Sequence, residues 1–355
     1  MRKSFLFLAL GLLTLFCFSC ASFGLKPEPN QPLFTNGFEH TIGASPALKP
    51  SVLNKNNWDD RALESGDCFK DGDTYYWYFH AYPNWDAGVD YQIGVATAPS
   101  PLGPWTKYRG NPIFKVGDKQ FENYIVACPM VVKDGGKYYM FYSSSDNTYT
   151  FANTSLAIAD NPLGPWKRHS KNPVLYDKRI GYVGGVFKVK DKWYLYGTYV
   201  NEVQPDYGRA YVATADVLEG PWTVVEKPAL SEGSKGSWDE GGFSEFEVLY
   251  YNGMFHAFYG GSLFNENRAA VREGIGYAYS NDGIHFTKYE GNPVIPYEDV
   301  PNCAAMAEVH AVIEYPKIYL YHTLRYIETP EGDNPEWMPW VEHLGIQMLE
   351  DKKRR

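Results

Sequence analysis

The stretch Asp71-Gly72-Asp73-Thr74-Tyr75-Tyr76-Trp77-Tyr78-Phe79 decides the fold, because an Asp-Gly turn leads directly into a row of aromatic residues. Asp-Gly pairs favour tight turns and aromatic side chains favour β-strands, so this stretch predicts a hairpin. Downstream lie Ile93-Gly94-Val95-Ala96, the turn Leu102-Gly103-Pro104-Trp105 and the pair Asn111-Pro112. Together these parts predict one repeat unit built from short strands.

The same order of parts recurs along the chain. Later copies contain Tyr138-Tyr139-Met140-Phe141-Tyr142, Trp193-Tyr194-Leu195-Tyr196, Phe255-His256-Ala257-Phe258-Tyr259 and a degenerate Ile318-Tyr319-Leu320-Tyr321. The turn residues Trp105, Trp166 and Trp222, with Phe286 in the same place of the fourth copy, are separated by 61, 56 and 64 residues. Such a unit cannot bury both of its faces alone, so its copies must stack. The repeat therefore predicts an all-β fold, a five-bladed β-propeller whose inner strands converge on an axial pocket.

Composition narrows the class of ligand. The chain has 355 residues and a net charge of −9, which argues against nucleic acid and phosphate-rich partners. Aromatic residues make up 17% of the chain, with 29 Tyr and 10 Trp. Some of them suit strand packing, and others suit stacking against the apolar faces of sugars.

The N-terminus predicts export. Arg2 and Lys3 precede an apolar run from Phe5 to Phe18, which is typical of a secretory signal. The following Ser19-Cys20-Ala21-Ser22 resembles a bacterial lipoprotein processing site that leaves Cys20 as the acylated first residue; the alternative is an ordinary signal peptide with a chance cysteine. We therefore divide the chain into a lipoprotein-type signal peptide (1–20), a tether and lead-in segment (21–53) and a propeller catalytic domain (54–355). The expected location is the periplasm or the outer membrane of a Gram-negative bacterium, with membrane contact only through the lipid on Cys20.

Three cysteines of the mature chain, Cys68, Cys128 and Cys303, do not form a framework spacing. An odd number of cysteines argues against a disulfide scaffold, and we expect them to be small buried hydrophobic residues.

Acidic residues recur at equivalent places of the predicted inner strands. When the copies are aligned on Tyr75, Tyr138, Trp193, Phe255 and Ile318, the residues eight positions earlier are Asp67, Met130, Gly185, Glu247 and His310. The residues ten positions earlier are Ser65, Cys128, Val183, Glu245 and Glu308. Residues two apart on a strand share a face, so both sets could line one pocket. The alternative is that these acidic residues lie in solvated loops just outside the strands.

A pocket lined by carboxylates suits the cleavage of glycosidic bonds. One carboxylic acid protonates the leaving oxygen while an opposed carboxylate activates water or attacks the sugar, at separations of roughly 5–5.5 Å for retention and 6.5–9.5 Å for inversion. The acid must stay protonated near neutral pH, and a neighbouring carboxylate raises its pKa. Glu245 and Glu247, with one residue between them, offer such a pair.

Asp67, the Asp71-Gly72-Asp73 turn, Tyr75-Tyr76 and the repeated Gly-Pro-Trp turns resemble those of the five-bladed propeller glycoside hydrolases. These include the family 43 arabinanases, xylosidases and arabinofuranosidases, and the family 117 hydrolases of agar oligosaccharides. The resemblance covers residues 55–350. Family 43 implies an Asp base at Asp67, but Met130 stands at the place of its pKa-tuning Asp, and Val183-Gly184-Gly185 replaces its Glu-Gly-Pro. The functional groups of family 117 include a His and a Glu in the last blade, and His310 and Glu308 match these approximately.

These considerations predict Asp67 as the base, Glu245 or Glu247 as acid or pKa partner, and His310 with Glu308 completing the site. No cofactor is expected, although His310 could instead coordinate a structural divalent cation in the axial channel.

Residues outside the repeat are candidates for substrate binding. Trp85 and Trp238 lie in non-repeated segments and could contact sugar or merely pack. Arg61 and Arg325 could bind a hydroxyl or a carboxylate, or pair with a neighbouring Asp on the surface.

The predicted function is that of an exo-acting glycoside hydrolase, which releases a terminal sugar from plant or algal oligosaccharides. The alternative is a glycan-binding surface lipoprotein without catalysis, motivated by Met130 and the missing Glu-Gly-Pro. A glycoside phosphorylase is disfavoured because phosphate needs clustered basic groups.

Overall fold

The computed structural model describes residues 29–43, 45–51, 57–83, 91–148, 150–199, 208–264, 270–301, 303–326 and 341–352. These residues form five antiparallel sheets arranged as the blades of a propeller, which confirms the predicted fold. Among them there is no helix of the length and hydrophobicity needed to cross a membrane.

An N-terminal strand, β1 (Phe38–Ile42), precedes the blades. Blade 1 contains β2 (Ala62–Asp71), β3 (Thr74–Tyr82), β4 (Gln92–Ala98) and β5 (Thr106–Lys107). Blade 2 contains β6 (Ile125–Asp134), β7 (Lys137–Ser145), β8 (Asn153–Ala159), β9 (Lys167–Arg168) and β10 (Leu175–Tyr176). Blade 3 contains β11 (Tyr182–Val189), β12 (Lys192–Tyr199), β13 (Arg209–Ala215) and β14 (Thr223–Val224). Blade 4 contains β15 (Phe243–Tyr251), β16 (Met254–Phe264), β17 (Ala270–Ser280) and β18 (Thr287–Lys288). Blade 5 contains β19 (Cys303–Glu314), β20 (Lys317–Tyr326) and β21 (Val341–Asp351), with β1 as its outermost strand.

The inner two strands of each blade are joined by a two-residue turn. In blade 1, Asp71 pairs with Thr74 across Gly72-Asp73, and in blade 4, Tyr251 pairs with Met254 across Asn252-Gly253. Asn252 and Gly253 have φ values of 50° and 88°, the left-handed conformation that such hairpin turns require. The hairpins fix the register, so the alignment on the strand aromatic residues also holds in the structure.

The repeated Trp of the turn packs each blade against the preceding blade. Trp166 of blade 2 meets Tyr78 of blade 1 edge-on, with ring centroids 6.3 Å apart. The equivalent pairs are Trp222 with Phe141, Phe286 with Tyr196, and Trp105 with Tyr321. Edge-to-face aromatic pairs contribute about 0.5–1.5 kcal/mol each beyond the burial of their area. The sequence motif is therefore a packing device between blades, and Phe286 fills the Trp place as predicted.

The ring is closed by the N-terminal segment. β1 pairs with β21 from Phe38 opposite Asp351 to Ile42 opposite Gln347. Phe34, which precedes β1, is 1% exposed and contacts Tyr277. The lead-in segment is therefore part of the packed domain from Pro29 onward.

All five inner strands carry a bulge near the axis. The register shifts fall between Ser65 and Cys68, Ala127 and Met130, Val183 and Gly185, Phe243 and Phe246, and Ala307 and His310. Two bulge residues, Cys128 and Glu308, have φ values of 49° and 45°. The backbone of a residue other than glycine is strained in this left-handed region, and such strain concentrates at functional sites. The three cysteines of the domain are free and buried.

Candidate active site

The five inner strands surround the axis and start at the same end of the propeller. We call this end the pocket end and the opposite end, where Asp71 and Glu314 terminate their strands, the base. Ion pairs between neighbouring inner strands, Lys70 with Glu314 and Lys133 with Asp71, lie at the base. The middle strands run in the opposite direction, so β3 ends and β4 begins at the pocket end.

The predicted residues Asp67, Glu247 and His310 meet on the axis. They come from blades 1, 4 and 5, and one ligand atom of each lies within 4.8 Å of the others. We call them the axial triad. All three side chains are buried. Distant stretches of chain thus bring together the residues that the repeat alignment placed at one position.

Burial dominates the pKa values of the two carboxyl groups of this triad. Desolvation raises the pKa of Asp67 to about 6, although His310 and the backbone N–H of Val131, 2.9 Å from its Oδ2, favour the charged form. Desolvation and the charge of Asp67 also raise the pKa of Glu247 well above its ordinary value. Glu245 joins the triad from the pocket side: its Oε2 lies 2.9 Å from Nε2 of His310, without the alignment of a hydrogen bond.

The axial triad has the donor set of a cation site. Both ring nitrogens of His310 and Oε2 of Glu247 lack a hydrogen-bond partner among the described residues. Two carboxylates and an imidazole fit one divalent cation, with the imidazole favouring a transition metal over calcium. A cavity of about 400 Å³, lined by Asp67, Met130 and Glu247, extends from this level towards Tyr250 at the base.

A second group of acidic residues surrounds Arg325 nearer the pocket end. We call it the glutamate cluster: Glu64, Glu273, Glu308 and Glu342. The Arg325 guanidinium lies 2.7 Å from Glu342, 3.3 Å from Glu308 and 3.4 Å from Glu273. Each of these glutamates is at most 7% exposed. Buried carboxylates in this number are costly unless paired or used, which makes the cluster a candidate functional site.

Glu64 is the member of the cluster whose pKa is lowered. Its Oε2 lies 2.8 Å from Nε2 of His80, and its Oε1 accepts a hydrogen bond of 3.1 Å from the Tyr91 hydroxyl. Burial opposes its ionisation, but the hydrogen bond and charge of His80, together with Arg325, outweigh burial and lower the pKa of Glu64. Glu64 is therefore a carboxylate at neutral pH.

The other members hold protons more tightly. Burial raises the pKa of Glu308 well above its ordinary value, with the nearby charges of Glu64 and Glu273 adding to burial and Arg325 opposing it. Burial and the charge of Glu64 raise the pKa of Glu342 to about 8. The pKa of Glu273 rises to about 6, again because of burial. At one end of the axis, burial and neighbouring charges thus shift the pKa of Glu64 downward and those of Glu308 and Glu342 upward, the divergence by which acid and base roles are assigned.

Sequence reasoning found Glu308 in this cluster and missed Glu64, His80, Glu273 and Glu342. A signal was present, since Glu273 and Glu342 occupy the same position of the third strand in blades 4 and 5. The strand registers place Tyr91 at that position in blade 1. The alignment followed the inner strands alone and therefore did not compare the third strands.

Of the four residues predicted to bind substrate, the structure describes three, and their surroundings differ. Trp238 stacks on Tyr259, with ring centroids 5.7 Å apart, so it packs within blade 4. Arg325 forms ion pairs with three glutamates, and its expected role in binding a substrate hydroxyl or carboxylate stays a prediction. Arg61 is half-buried, and its backbone N–H donates to the carbonyl of Tyr82. Trp85 lies outside the described residues.

Comparison with known proteins finds similar folds among solved structures. No protein-family model and no curated protein matches this chain. Among solved structures, a glycosyl hydrolase from Bacteroides ovatus is 17% identical with a TM-score of 0.64, covering 92% of this chain and 97% of that one. A family 117 glycoside hydrolase, Zg3597 from Zobellia galactanivorans, is 17% identical with a TM-score of 0.57, covering 88% and 90%. A thermostable family 43 glycoside hydrolase is 16% identical with a TM-score of 0.55, covering 86% and 96%. At these identities the likeness shows the shared propeller fold.

Proposed function

We propose that this protein is a glycoside hydrolase whose active site is the glutamate cluster at the pocket end. The observation that carries the proposal is the geometry of the cluster, in which Glu308 lies 3.3 Å from the Arg325 guanidinium and Glu64 is held by His80 and Tyr91. The opposite directions of the pKa shifts of Glu64 and Glu308 agree with it. The glycoside hydrolases among its fold relatives support the same class. We propose an oligosaccharide as substrate and release of its terminal sugar as the reaction.

In this proposal Glu308 is the general acid and Glu64 is the base or nucleophile. Glu308 donates its proton to the glycosidic oxygen as the bond to the anomeric carbon breaks. Glu64 either deprotonates the attacking water or attacks that carbon itself, after which water releases the sugar. Oε2 of Glu308 is buried and has no hydrogen-bond partner among the described residues, so no protein group occupies the oxygen that would carry the transferred proton in this proposal.

The remaining members of the cluster position these two groups. Glu342 and Glu273 hold Arg325 in place, and Arg325 in turn contacts Glu308. His80 and Tyr91 each contact one oxygen of Glu64 and fix its orientation. Such support is what keeps a catalytic group within the narrow geometry that the reaction needs.

The test is a screen of aryl glycosides and oligosaccharides, with furanosides, xylo-oligosaccharides and neoagaro-oligosaccharides, followed by variants on the substrate that is cleaved. We expect Glu64→Gln to lower kcat/KM by about 10²–10⁴-fold, the usual contribution of a general base. Glu308→Gln should impair substrates with poor leaving groups and spare activated aryl glycosides, because those need little protonation.

Two further variants make the test specific. Glu314→Gln is the matched control, because this glutamate is ion-paired with Lys70 at the base. Asp67→Asn examines the competing assignment from the sequence, in which Asp67 is the base. Full activity in Glu64→Gln together with its loss in Asp67→Asn would refute our choice of base. Tight binding of an oligosaccharide without turnover would favour the glycan-binding alternative.

A further inference from the structure

The N-terminal segment leaves the propeller at its base. The backbone N–H of Asn30 donates to the carbonyl of Asn252, 3.1 Å away, and Asn252 forms the base hairpin of blade 4. The backbone N–H of Leu33 donates to the Tyr277 hydroxyl at 2.9 Å. Phe38 then starts β1 opposite Asp351, the base end of β21. The chain that comes from Cys20 therefore joins the domain on the face opposite the glutamate cluster.

We infer that the protein sits on a membrane with its base towards the lipid and its pocket end pointing away. The inference rests on acylation of Cys20, which the sequence predicts, and is independent of the proposed catalytic activity. The partner is the bilayer that holds the acyl chains of Cys20, and the contact surface is the base.

The length of the tether sets this orientation. From Cys20 to Asn30 the chain can reach at most about 35 Å, at roughly 3.3–3.6 Å per residue. The height of a blade from pocket end to base is about equal to this reach, because the 11 residues of β21 rise by about 3.4 Å each. To turn the pocket end towards the lipid, the tether must extend fully along the side of a blade, which costs most of its conformational entropy. With the base towards the lipid, the tether does not have to span this distance.

The base surface is compatible with this contact. Three of the large hydrophobic side chains that are exposed in the described part of the chain, Leu102, Val217 and Tyr250, lie at the base, with exposures of 44%, 53% and 40%. They come from blades 1, 3 and 4 and stand apart, so they supplement the tether without forming a continuous patch. Tyr176, at the pocket end of blade 2, is 73% exposed and provides a label position on the opposite side.

The experiment measures which face approaches lipid. The full chain is produced in a host that processes lipoproteins, and mass spectrometry establishes the acyl group on Cys20. The protein is reconstituted into phosphatidylcholine vesicles that contain nitroxide-labelled head groups. Leu102→Cys, Val217→Cys and Tyr176→Cys variants carry a fluorophore; Cys68, Cys128 and Cys303 are buried and do not compete for it. We expect lipid quenching at Leu102 and Val217 and little at Tyr176, and loss of all quenching in a variant that lacks residues 1–20.

A second variant tests the role of tether length. Inserting about 30 Gly and Ser residues after Ser22 gives the tether an additional root-mean-square length of about 30 Å, which should equalise the quenching of the three labels. If the labels at Leu102 and Val217 are still quenched more strongly than the label at Tyr176 after the insertion, the argument from tether length is wrong. Quenching that is equal on both faces of the unmodified chain, or stronger at Tyr176, would overturn the orientation itself. Absence of the acyl group would remove its basis.

Discussion

Removing the Tyr91 hydroxyl tests how the structure keeps Glu64 ionised. In Tyr91→Phe the carboxylate loses the hydrogen bond to its Oε1 and retains His80 at its Oε2. A hydrogen bond to a charged group contributes about 1.5–3 kcal/mol. Since one pKa unit corresponds to about 1.36 kcal/mol, the pKa of Glu64 should rise by about 1–2 units. If Glu64 must be ionised for catalysis, the acid limb of the pH–rate profile should move upward by the same amount.

The assay is the pH dependence of kcat/KM on the substrate found by the screen, because this profile reports groups of the free enzyme. A titration of ¹³C-labelled glutamate carboxyl groups by NMR follows the pKa of Glu64 without any substrate. Tyr196→Phe is the matched control, since it removes a buried hydroxyl that donates to the carbonyl of Gly283, away from the cluster. A folded Tyr91→Phe protein whose acid limb and Glu64 titration are unchanged would refute the reasoning.

Three other predictions concern stability. In Gly184→Ala the new Cβ would lie 2.2 Å from the carbonyl oxygen of Phe246, so the two inner strands must move apart; we expect a loss of about 1–3 kcal/mol, seen as a lower unfolding temperature by calorimetry. Glu342 has a pKa raised to about 8, so its contribution to stability is present below its unfolded pKa of 4.5 and declines as pH rises towards 8. Glu342→Gln should therefore flatten the fall of the unfolding temperature between these pH values, and an unchanged slope would contradict the shift. Phe34→Ala should cost about 3–5 kcal/mol, because this buried side chain fastens the N-terminal segment to blades 4 and 5; denaturant unfolding that matches wild type would mean that the segment is not part of the domain.

The fold could be predicted from the sequence because its repeat is local. Turn, aromatic strand and Gly-Pro-Trp follow one another within each copy, and each element depends mainly on neighbours along the chain. The Trp of this motif could be recognised as a repeat residue, and the structure adds that it packs against the preceding blade. The replacement of Trp by Phe286 keeps the same edge-on contact.

The candidate site was only partly accessible to sequence reasoning. Aligning the inner strands brought Asp67, Glu247 and His310 together, and the structure places them within 4.8 Å of one another. The same alignment could not reveal that Glu273 and Glu342 converge on Arg325, since these residues belong to third strands. Side chains from different strands meet at one point only because the blades are tilted around a common axis.

The sequence alone determined the number of blades, the order of their strands and the acidic character of the axis, because each of these follows from residue types at regular intervals. The tertiary structure decided which carboxyl groups share a site and which of them hold a proton. Protonation depends on burial and on neighbouring charges such as Arg325 and His80. Glu64 and Arg325 are 261 residues apart in the sequence, and they influence each other only because blades 1 and 5 pack together.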